Sequence, residues 1–207
     1  MVGVAGAREG GRDLGARVAD AAERFQLSEL SDRGAQRLNV LCSLSDDELS
    51  RLMDMLRANF TFAPGGEYSV EVDPRTVDAT RLAHLARLGF NRISFGVQDF
   101  DPQVQKAVHR IQPAETVFDL LAAAREIGFE SANVDLIYGL PRQTSESFAR
   151  TVAQVSQLRP DRIALYAYAH LPERFKPQRR IDAAELPDAA SKVGMLASTL
   201  ASLEGAG

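Results

Sequence analysis

The sequence predicts an α/β protein in which parallel strands and helices alternate as right-handed βαβ units. Two observations predict this class. From Ser45 onward, short apolar runs alternate with stretches of helical periodicity, and residues that typically start or end helices separate them. A third observation limits the architecture, because only four strands can be recognised, too few to close an eight-stranded barrel. We therefore expect a partial (β/α) barrel or an open α/β sheet.

The first predicted unit begins with a capped helix. Ser45, with Glu48 three residues later, has the pattern of a capping box. The apolar residues of this helix follow helical spacing: Leu49, Leu52, Met53, Leu56 and Phe60. A Pro-Gly-Gly turn at residues 64–66 then leads into a strand over residues 68–72. The next helix carries Leu82, Leu85 and Leu88 on one face. Gly89 is predicted to end that helix in a left-handed conformation.

The same alternation continues to the end of the chain. The further predicted strands cover residues 92–97, 133–138 and 162–169. Asp101 followed by Pro102 predicts a helix start, Gly128 a helix end, and Thr144 the cap of another helix. The apolar faces of these helices are Val117, Leu120, Leu121, Ala124 and Ile127, and then Phe148, Val152, Val155 and Leu158. A final helix is predicted over residues 186–203.

Residues 1–43 differ from the rest of the chain. They are rich in alanine, glycine and arginine and show no clear strand pattern, although residues 15–25 could form a helix. We interpret them as a poorly ordered extension, with translation of another reading frame as the alternative. Residues 44–207 are then the partial barrel domain.

Composition restricts the class of protein. A net charge of −4 argues against nucleic acid or an anionic membrane surface as a main partner. The sequence has no apolar run of 18 residues or more, so no transmembrane helix is expected. Cys42 is the single cysteine, which excludes an intramolecular disulfide and favours a reducing, cytoplasmic location.

Polar residues recur where the predicted strands end. They are Glu71, Asp73 and Arg75, then Gln98 and Asp99, then Asp135, and finally Tyr166, Tyr168 and His170. Since ligands of parallel α/β sheets bind at the carboxyl ends of the strands, these residues predict one polar pocket. Singly, each has a structural explanation: Glu71 could be an edge-strand carboxylate, Gln98 a turn cap and Arg110 a solvated cation. Asp135 lies between apolar neighbours, and a buried carboxylate must find donors or a cation.

Longer motifs carry a more specific signal. They are Glu-Val-Asp-Pro-Arg at residues 71–75, Gly-Phe-Asn-Arg-Ile-Ser-Phe-Gly-Val-Gln-Asp-Phe at 89–100, Asn-Val-Asp-Leu-Ile-Tyr-Gly-Leu-Pro-Arg-Gln-Thr at 133–144, and Tyr-Ala-His-Leu-Pro-Glu-Arg-Phe-Lys-Pro-Gln-Arg-Arg-Ile at 168–181. With these motifs the chain resembles the radical SAM family, and within it the oxygen-independent coproporphyrinogen III oxidases. Asp73 and Asp99 are the residues that favour this branch over the related haem chaperones. The resemblance extends from about Leu44 to Leu203.

The resemblance implies a fold, cofactors and a reaction. It implies a partial (β/α) barrel that binds two S-adenosylmethionine (SAM) molecules beside a [4Fe–4S] cluster. The implied reaction is the oxidative decarboxylation of two propionates of coproporphyrinogen III to vinyl groups, giving protoporphyrinogen IX in haem biosynthesis. A 5′-deoxyadenosyl radical would abstract a propionate hydrogen. The implied partners are the tetrapyrrole substrate and an electron donor, and the implied oligomeric state is a monomer.

The resemblance also implies ligand contacts, residue by residue. Glu71 matches the carboxylate that contacts the cluster-bound SAM. Gln98, Arg110, Asp135 and Ala169 match contacts to the second SAM. No catalytic residue and no metal ligand is assigned by these motifs.

The sequence also departs from the family pattern. The family's Cys-x₃-Cys-x₂-Cys loop and a Gly-Gly-Gly-Thr-Pro strand end are not found, so we expect an internal fragment or damaged gene product that cannot generate a radical. A haem-binding chaperone and an inert product are the alternatives. We also expect an unpaired sheet edge beside residues 68–72, which would make the chain prone to aggregation.

Overall fold

The protein is described by a computed structural model that covers residues 35–41 and 45–206. These residues form five strands, six α-helices and two short 3₁₀ helices. The strands are β1 (Ala35–Leu41), β2 (Phe62–Val72), β3 (Arg92–Gln98), β4 (Ser131–Tyr138) and β5 (Arg162–Ala167). The helices are α1 (Asp46–Asn59), α2 (Ala79–Arg87), α3 (Pro102–Ala107), α4 (Ala114–Ile127), α5 (Ser145–Leu158) and α6 (Ala189–Ala206). The 3₁₀ helices cover Lys176–Arg180 and Ala183–Glu185.

The predicted α/β class is confirmed. The strands form one sheet in the order β1-β2-β3-β4-β5, and β1 pairs in parallel with β2, as β4 does with β5. The expectation of four strands is wrong, because β1 adds a fifth within residues that showed no strand pattern. The expected unpaired edge beside residues 68–72 is therefore also wrong: β1 pairs with β2 from Leu38 opposite Tyr68 to Leu41 opposite Glu71.

The Pro-Gly-Gly segment is an irregularity within a strand rather than a turn before one. Ala35 lies opposite Phe62 and Arg37 opposite Glu67. An advance of two residues along β1 is therefore matched by an advance of five residues along β2. Residues 64–66 lie in this interval, where Gly65 has a φ of 72°. Glycine can adopt that conformation without the steric penalty of a side chain, and bulges of this kind carry extra residues within a pairing.

The chain divides into two compact units, and the first comprises the described residues 35–41, 45–94 and 123–131. Helix α1 begins with the predicted capping box: Glu48 N donates to Ser45 Oγ at 3.4 Å, and Ser45 N donates to Glu48 Oε2 at 3.0 Å. Most of the apolar residues predicted for α1 and α2 are buried together with residues of β2 and β3: Leu49, Leu52, Met53, Leu56, Val70, Val72, Leu82, Leu85 and Ile93. Phe60 and Leu88, also predicted for these faces, are half-buried. As predicted, Gly89 follows α2 with a φ of 90°.

The second unit comprises residues 95–122 and 132–206. Asp101 caps α3 ahead of Pro102, and Thr144 caps α5, as predicted. Helix α6 packs against α5, and the core contains Phe95, Val97, Val104, Val117, Leu121, Val134, Leu136, Phe148, Val152, Val155 and Met195. Two predicted boundaries move. Strand β5 ends at Ala167, and α6 begins at Ala189, where Asp188 Oδ1 accepts from Ser191 N at 2.7 Å.

Several expectations fall on residues outside the described ranges. The predicted helix over residues 15–25 and the thiol of Cys42 lie there, and the division of the chain at residue 44 stays a prediction. In the described part of the chain, none of the helices combines the length and the apolar character needed to span a bilayer.

Candidate functional site: a cationic cavity in the second unit

The second unit contains a cavity of about 460 Å³, a volume typical of small-molecule sites. Three segments form its walls: the end of β3 with the turn after α3, the turn after β4, and the segment after β5. The lining residues are Gln98, Ala107, Val108, His109, Arg110, Ile137, Leu140, Tyr168, Pro177, Gln178, Arg180 and Ile181. Each of the three segments follows a strand in the chain, as expected for a ligand site of an α/β fold.

Gln98, the last residue of β3, has a strained backbone. Its φ is 69°, and Asp99 N donates to Val97 O at 2.9 Å across it. A hydrogen bond between residues two apart with a positive φ at the centre defines the rare, strained form of the γ-turn. The side-chain Oε1 of Gln98 is buried and accepts no hydrogen bond from the described residues. A strained backbone and a buried acceptor that lacks a donor indicate a residue placed for a ligand.

Arg110 is held against the end of β3 by the turn that follows α3. His109 takes a φ of 54°, and Arg110 N donates to Gln105 O at 2.8 Å. The guanidinium Nη2 then donates to Gly96 O at 2.7 Å. The turn thus brings Arg110 and Gln98 into one cavity wall, with His109 beside them.

The turn after β4 supplies the apolar wall, Ile137 and Leu140, and its backbone conformation favours a glycine. Gly139 has a φ of 83°, and a Cβ there would lie 2.8 Å from Lys192 Cε. Gln143 closes the turn, since its Oε1 accepts from Gly139 N at 2.5 Å and from Leu140 N at 3.2 Å. The wall is therefore fixed by the side chain of Gln143.

Behind the cavity, Asp99 is the centre of a buried hydrogen-bond network. Only 1% of Asp99 is exposed. Its Oδ1 accepts from Thr151 Oγ1 at 2.6 Å and from Asp101 N at 2.6 Å. Its Oδ2 accepts from Gln143 Nε2 at 2.5 Å. Burial raises the pKa of Asp99, although these three hydrogen bonds oppose the shift.

Two glutamines extend the network toward Arg110. Gln105 Nε2 donates to Asp99 O at 2.9 Å and to Gln112 O at 2.9 Å. Gln112 Nε2 donates to Val97 O at 2.6 Å. The turns that carry Gln98, Arg110 and Leu140 are thereby connected through buried polar groups, which are costly to break.

The segment after β5 forms the remaining wall and is fixed by Gln178. Its Nε2 donates to Ala169 O at 3.0 Å, while its Oε1 accepts from Leu171 N at 2.5 Å. Tyr168 precedes Ala169, one of the residues bound by Gln178, and its Oη lies 3.2 Å from His170 Nδ1. Partial burial raises the pKa of Tyr168, which keeps its hydroxyl protonated.

The charge of the cavity wall is positive. Two arginines line it, and its described lining contains no aspartate or glutamate. A guanidinium pairs with a carboxylate through charge-assisted hydrogen bonds. The site therefore fits a ligand that carries at least one carboxylate.

Comparison with known proteins places this chain in a family. Residues 32–155, more than half of the chain, match the Radical SAM superfamily. The chain belongs to the radical SAM superfamily. It is 52% identical to the oxygen-independent coproporphyrinogen III oxidase of Salmonella typhimurium strain LT2 over 164 residues, which are 79% of this chain and 36% of the relative. The chain thus spans about a third of the length of the curated relatives it matches.

Solved structures confirm the fold. Coproporphyrinogen III oxidase from Escherichia coli, described as a radical SAM enzyme, superimposes with a TM-score of 0.76 at 51% identity over 79% of this chain and 38% of its own. The archaeal Methanocaldococcus infernus Elp3 superimposes with a TM-score of 0.62 at 13% identity, covering 89% of this chain and 48% of that one, a likeness of fold alone. The resemblance that the motifs indicated, and the incomplete barrel of radical SAM type, are confirmed.

Within this radical SAM fold, two of the predicted SAM contacts share the cavity, and a third is hydrogen-bonded to one of its lining residues. Gln98 and Arg110 line it, and Ala169 is bound through its carbonyl to the lining residue Gln178. Asp135, which is 7% exposed, lies on β4 two residues before Ile137. Because alternate residues of a strand share a face, Asp135 and Ile137 belong to the same face of β4. The ligand roles of all four stay predictions.

Glu71, the remaining predicted contact, belongs to the first unit. It is an exposed residue of β2, and its role toward a first SAM stays a prediction. The neighbouring Asp73 and Arg75, which also follow that strand, form an ion pair at 2.7 Å. This pair gives both residues a structural explanation.

Sequence reasoning missed part of the lining of this cavity. His109 lies after α3 and lines the cavity, although the motifs assigned it no role. Gln178 and Arg180 were quoted only as part of the motif at residues 168–181. Their place in that motif was the one available signal, because neither residue lies in a strand or in a helix with an apolar face.

The residues present fit SAM but not an iron–sulfur cluster. SAM carries a carboxylate and polar ribose and adenine groups, which suit Arg110 and the unsatisfied Oε1 of Gln98. A [4Fe–4S] cluster is held by several cysteine thiolates, and the sequence contains one cysteine. Among the described residues, no three His, Cys, Asp or Glu side chains are grouped to hold a metal. We therefore derive no step through the cluster.

Proposed function

We propose that this chain binds SAM in the second unit as part of the oxidative decarboxylation of coproporphyrinogen III to protoporphyrinogen IX. The proposal rests on one observation: a cavity lined by Gln98 and Arg110 lies in a chain half identical to coproporphyrinogen III oxidases. In that reaction two propionates become vinyl groups and two molecules of carbon dioxide leave. SAM would supply the oxidant, since its cleavage to methionine and 5′-deoxyadenosine takes up the hydrogen atom and the electron that each propionate loses.

The residues of the cavity have distinct roles in this proposal. Arg110 pairs with the SAM carboxylate, and its bond to Gly96 O fixes the direction of the guanidinium. Gln98 Oε1 accepts from a ligand donor, which satisfies an acceptor that is otherwise buried without one. Asp135 accepts from the ammonium or a ribose hydroxyl, and Ala169 leaves room for the ligand beside Gln178. Glu71 contacts the other SAM molecule of the family.

The proposal extends to partners and location. The substrate is a tetrapyrrole with four carboxylates, and an electron donor serves the reaction. The protein acts as a monomer in the cytoplasm. The single cysteine supports a reducing compartment, and the net charge of −4 argues against an anionic membrane surface as partner.

Isothermal titration calorimetry of the whole chain with SAM tests this proposal. We expect saturable binding, which Gln98→Ala weakens about tenfold, because one hydrogen bond contributes about 1.4 kcal/mol. Arg110→Gln is expected to weaken it by about tenfold or more, since charge-assisted hydrogen bonds are stronger than neutral ones.

Gln157→Ala is the matched control. Gln157 lies exposed on α5 of the same unit and does not line the cavity, so its variant should bind SAM like the wild type. Thermal unfolding of each variant establishes that it is folded. A cooperatively folded wild-type chain that shows no saturable SAM binding would contradict the proposal, as would equal losses in the Gln98 and Gln157 variants.

A further inference from the structure

The cavity has more positive charge than SAM requires. SAM contains one carboxylate together with two cationic groups, its ammonium and its sulfonium. Arg110 alone serves that carboxylate in the proposed function. Arg180 lines the same cavity, and its described lining contains no acidic side chain. The guanidinium of Arg180 therefore has no partner in SAM, and it can pair with the carboxylate of another ligand.

Arg180 differs from the other arginines near it because its guanidinium is unoccupied. Within the described residues, it forms no hydrogen bond and no ion pair. In contrast, Arg179 Nε donates to Pro172 O at 3.0 Å, and Arg142 Nη2 lies 2.5 Å from Glu185 Oε1. Those two arginines hold the segment in place, whereas Arg180 is exposed at the cavity wall.

The backbone that carries Arg180 is well anchored. Arg180 ends the 3₁₀ helix Lys176–Arg180. Gln178 N donates to Phe175 O at 3.0 Å, and Ile181 N donates to Gln178 O at 3.1 Å. The side chain of Gln178 adds its two bonds to the segment at residues 169–171. A cation on a fixed backbone loses less conformational freedom when it binds an anion than one on a mobile loop.

The same segment also exposes apolar surface. Leu171 is 42% exposed and Phe175 is 53% exposed. An available cation together with exposed apolar side chains complements a ligand that has carboxylates on a large apolar framework. SAM lacks such a framework, whereas the tetrapyrrole substrate of the proposed function has one, with four propionates.

We propose that Arg180 binds a propionate carboxylate of the tetrapyrrole, separately from the SAM carboxylate assigned to Arg110. This inference rests on the proposed function and adds a substrate subsite to it. Arg180 acts by pairing with the carboxylate and so sets the position of the macrocycle relative to the SAM cavity. No bond is made or broken at Arg180.

Coproporphyrin III, the fluorescent oxidised form of the substrate, tests the subsite in the whole chain. We expect Arg180→Gln to weaken its binding about three- to tenfold, the effect of losing one partly exposed ion pair with hydrogen bonds. Arg180→Lys should retain part of the affinity. The SAM affinity measured by calorimetry should change less than twofold in both variants.

Arg174→Gln is the matched control, because Arg174 lies exposed in the same segment and does not line the cavity. The substitution changes the net charge by the same amount as Arg180→Gln. It should leave the affinity for coproporphyrin III unchanged. A water-soluble cationic porphyrin serves as the second control, since it has no carboxylate and should not bind less tightly to Arg180→Gln.

The outcomes separate this inference from the proposed function. Equal losses in Arg174→Gln and Arg180→Gln would show unspecific charge attraction and overturn the inference. A loss of SAM affinity in Arg180→Gln with unchanged porphyrin affinity would assign Arg180 to SAM and also overturn it. A folded chain that does not bind coproporphyrin III at all would also overturn the inference, whether or not the chain binds SAM. Failure of SAM binding with the porphyrin results as expected would contradict only the proposed function.

Discussion

Replacing Asp99 by alanine is expected to lower the free energy of unfolding by about 3 kcal/mol. The substitution leaves Thr151 Oγ1, Gln143 Nε2 and Asp101 N without their carboxylate acceptor. Each buried donor left unsatisfied costs about 1–3 kcal/mol, and the second acceptor of Gln143, Ile137 O, limits the total. Chemical denaturation of the wild type and the variant measures the difference.

Asp119→Ala is the control for this experiment. Asp119 is an exposed carboxylate on α4, and surface substitutions usually change stability by less than about 0.5 kcal/mol. If Asp99→Ala lost no more stability than Asp119→Ala, the network would not be what fixes the walls of the cavity.

The same network predicts a pH dependence. Because burial raises the pKa of Asp99 in the folded state, the folded protein binds this proton more tightly than the unfolded chain does. The stabilisation by Asp99 is therefore largest at low pH and declines as the pH rises through its folded pKa. Asp99→Asn does not titrate. The unfolding free energy of the wild type minus that of Asp99→Asn should decrease as the pH is raised toward neutrality from the range in which exposed carboxyl groups titrate. An increase would contradict the raised pKa.

Anaerobic reconstitution with iron and sulfide is expected to yield no stoichiometric [4Fe–4S] cluster on this chain. The sequence supplies one thiol, that of Cys42, and a cubane needs several thiolates. Iron and sulfide analysis with visible absorbance spectroscopy measures the result. Cys42→Ser is the control and should retain as little iron as the wild type. A reproducible four-iron cluster in the monomer, lost in Cys42→Ser, would overturn this expectation.

The helices were predictable because their signals are local. Ser45, Asp101 and Thr144 cap helices through hydrogen bonds to residues two or three positions away, and Gly89 and Gly128 end them with positive φ angles. Helical spacing likewise placed most of the predicted apolar residues in the core, whereas Phe60, Leu88 and Ile127 are half-buried. Each of these features can be read within a few residues of sequence.

The first strand was missed because its stability comes from a distant partner. Strand β1 is paired with β2, and the start of β2 was hidden by Pro64, Gly65 and Gly66, which are typical turn residues. The pairing accommodates them by a shift in register. A strand of this kind is defined by tertiary pairing rather than by its own pattern.

The site was predictable only in part, for the same reason. Motif resemblance identified Gln98 and Arg110, which the structure brings into one cavity. The network of Asp99, Gln143 and Thr151 joins residues up to 52 positions apart, and no periodicity indicates such contacts. Glutamine and threonine are also common on surfaces, so their burial here has no sequence signature.

The γ-turn at Gln98 has a consequence for engineering this protein. A residue other than glycine with a φ of 69° holds strain of roughly 1–3 kcal/mol, which glycine would relieve in the folded state at the cost of a more flexible unfolded chain. A glycine at this position would also remove the amide that faces the proposed ligand. Selection for heat resistance alone and selection for ligand affinity would therefore favour different residues at position 98, which makes it a point where stability and activity trade off against each other.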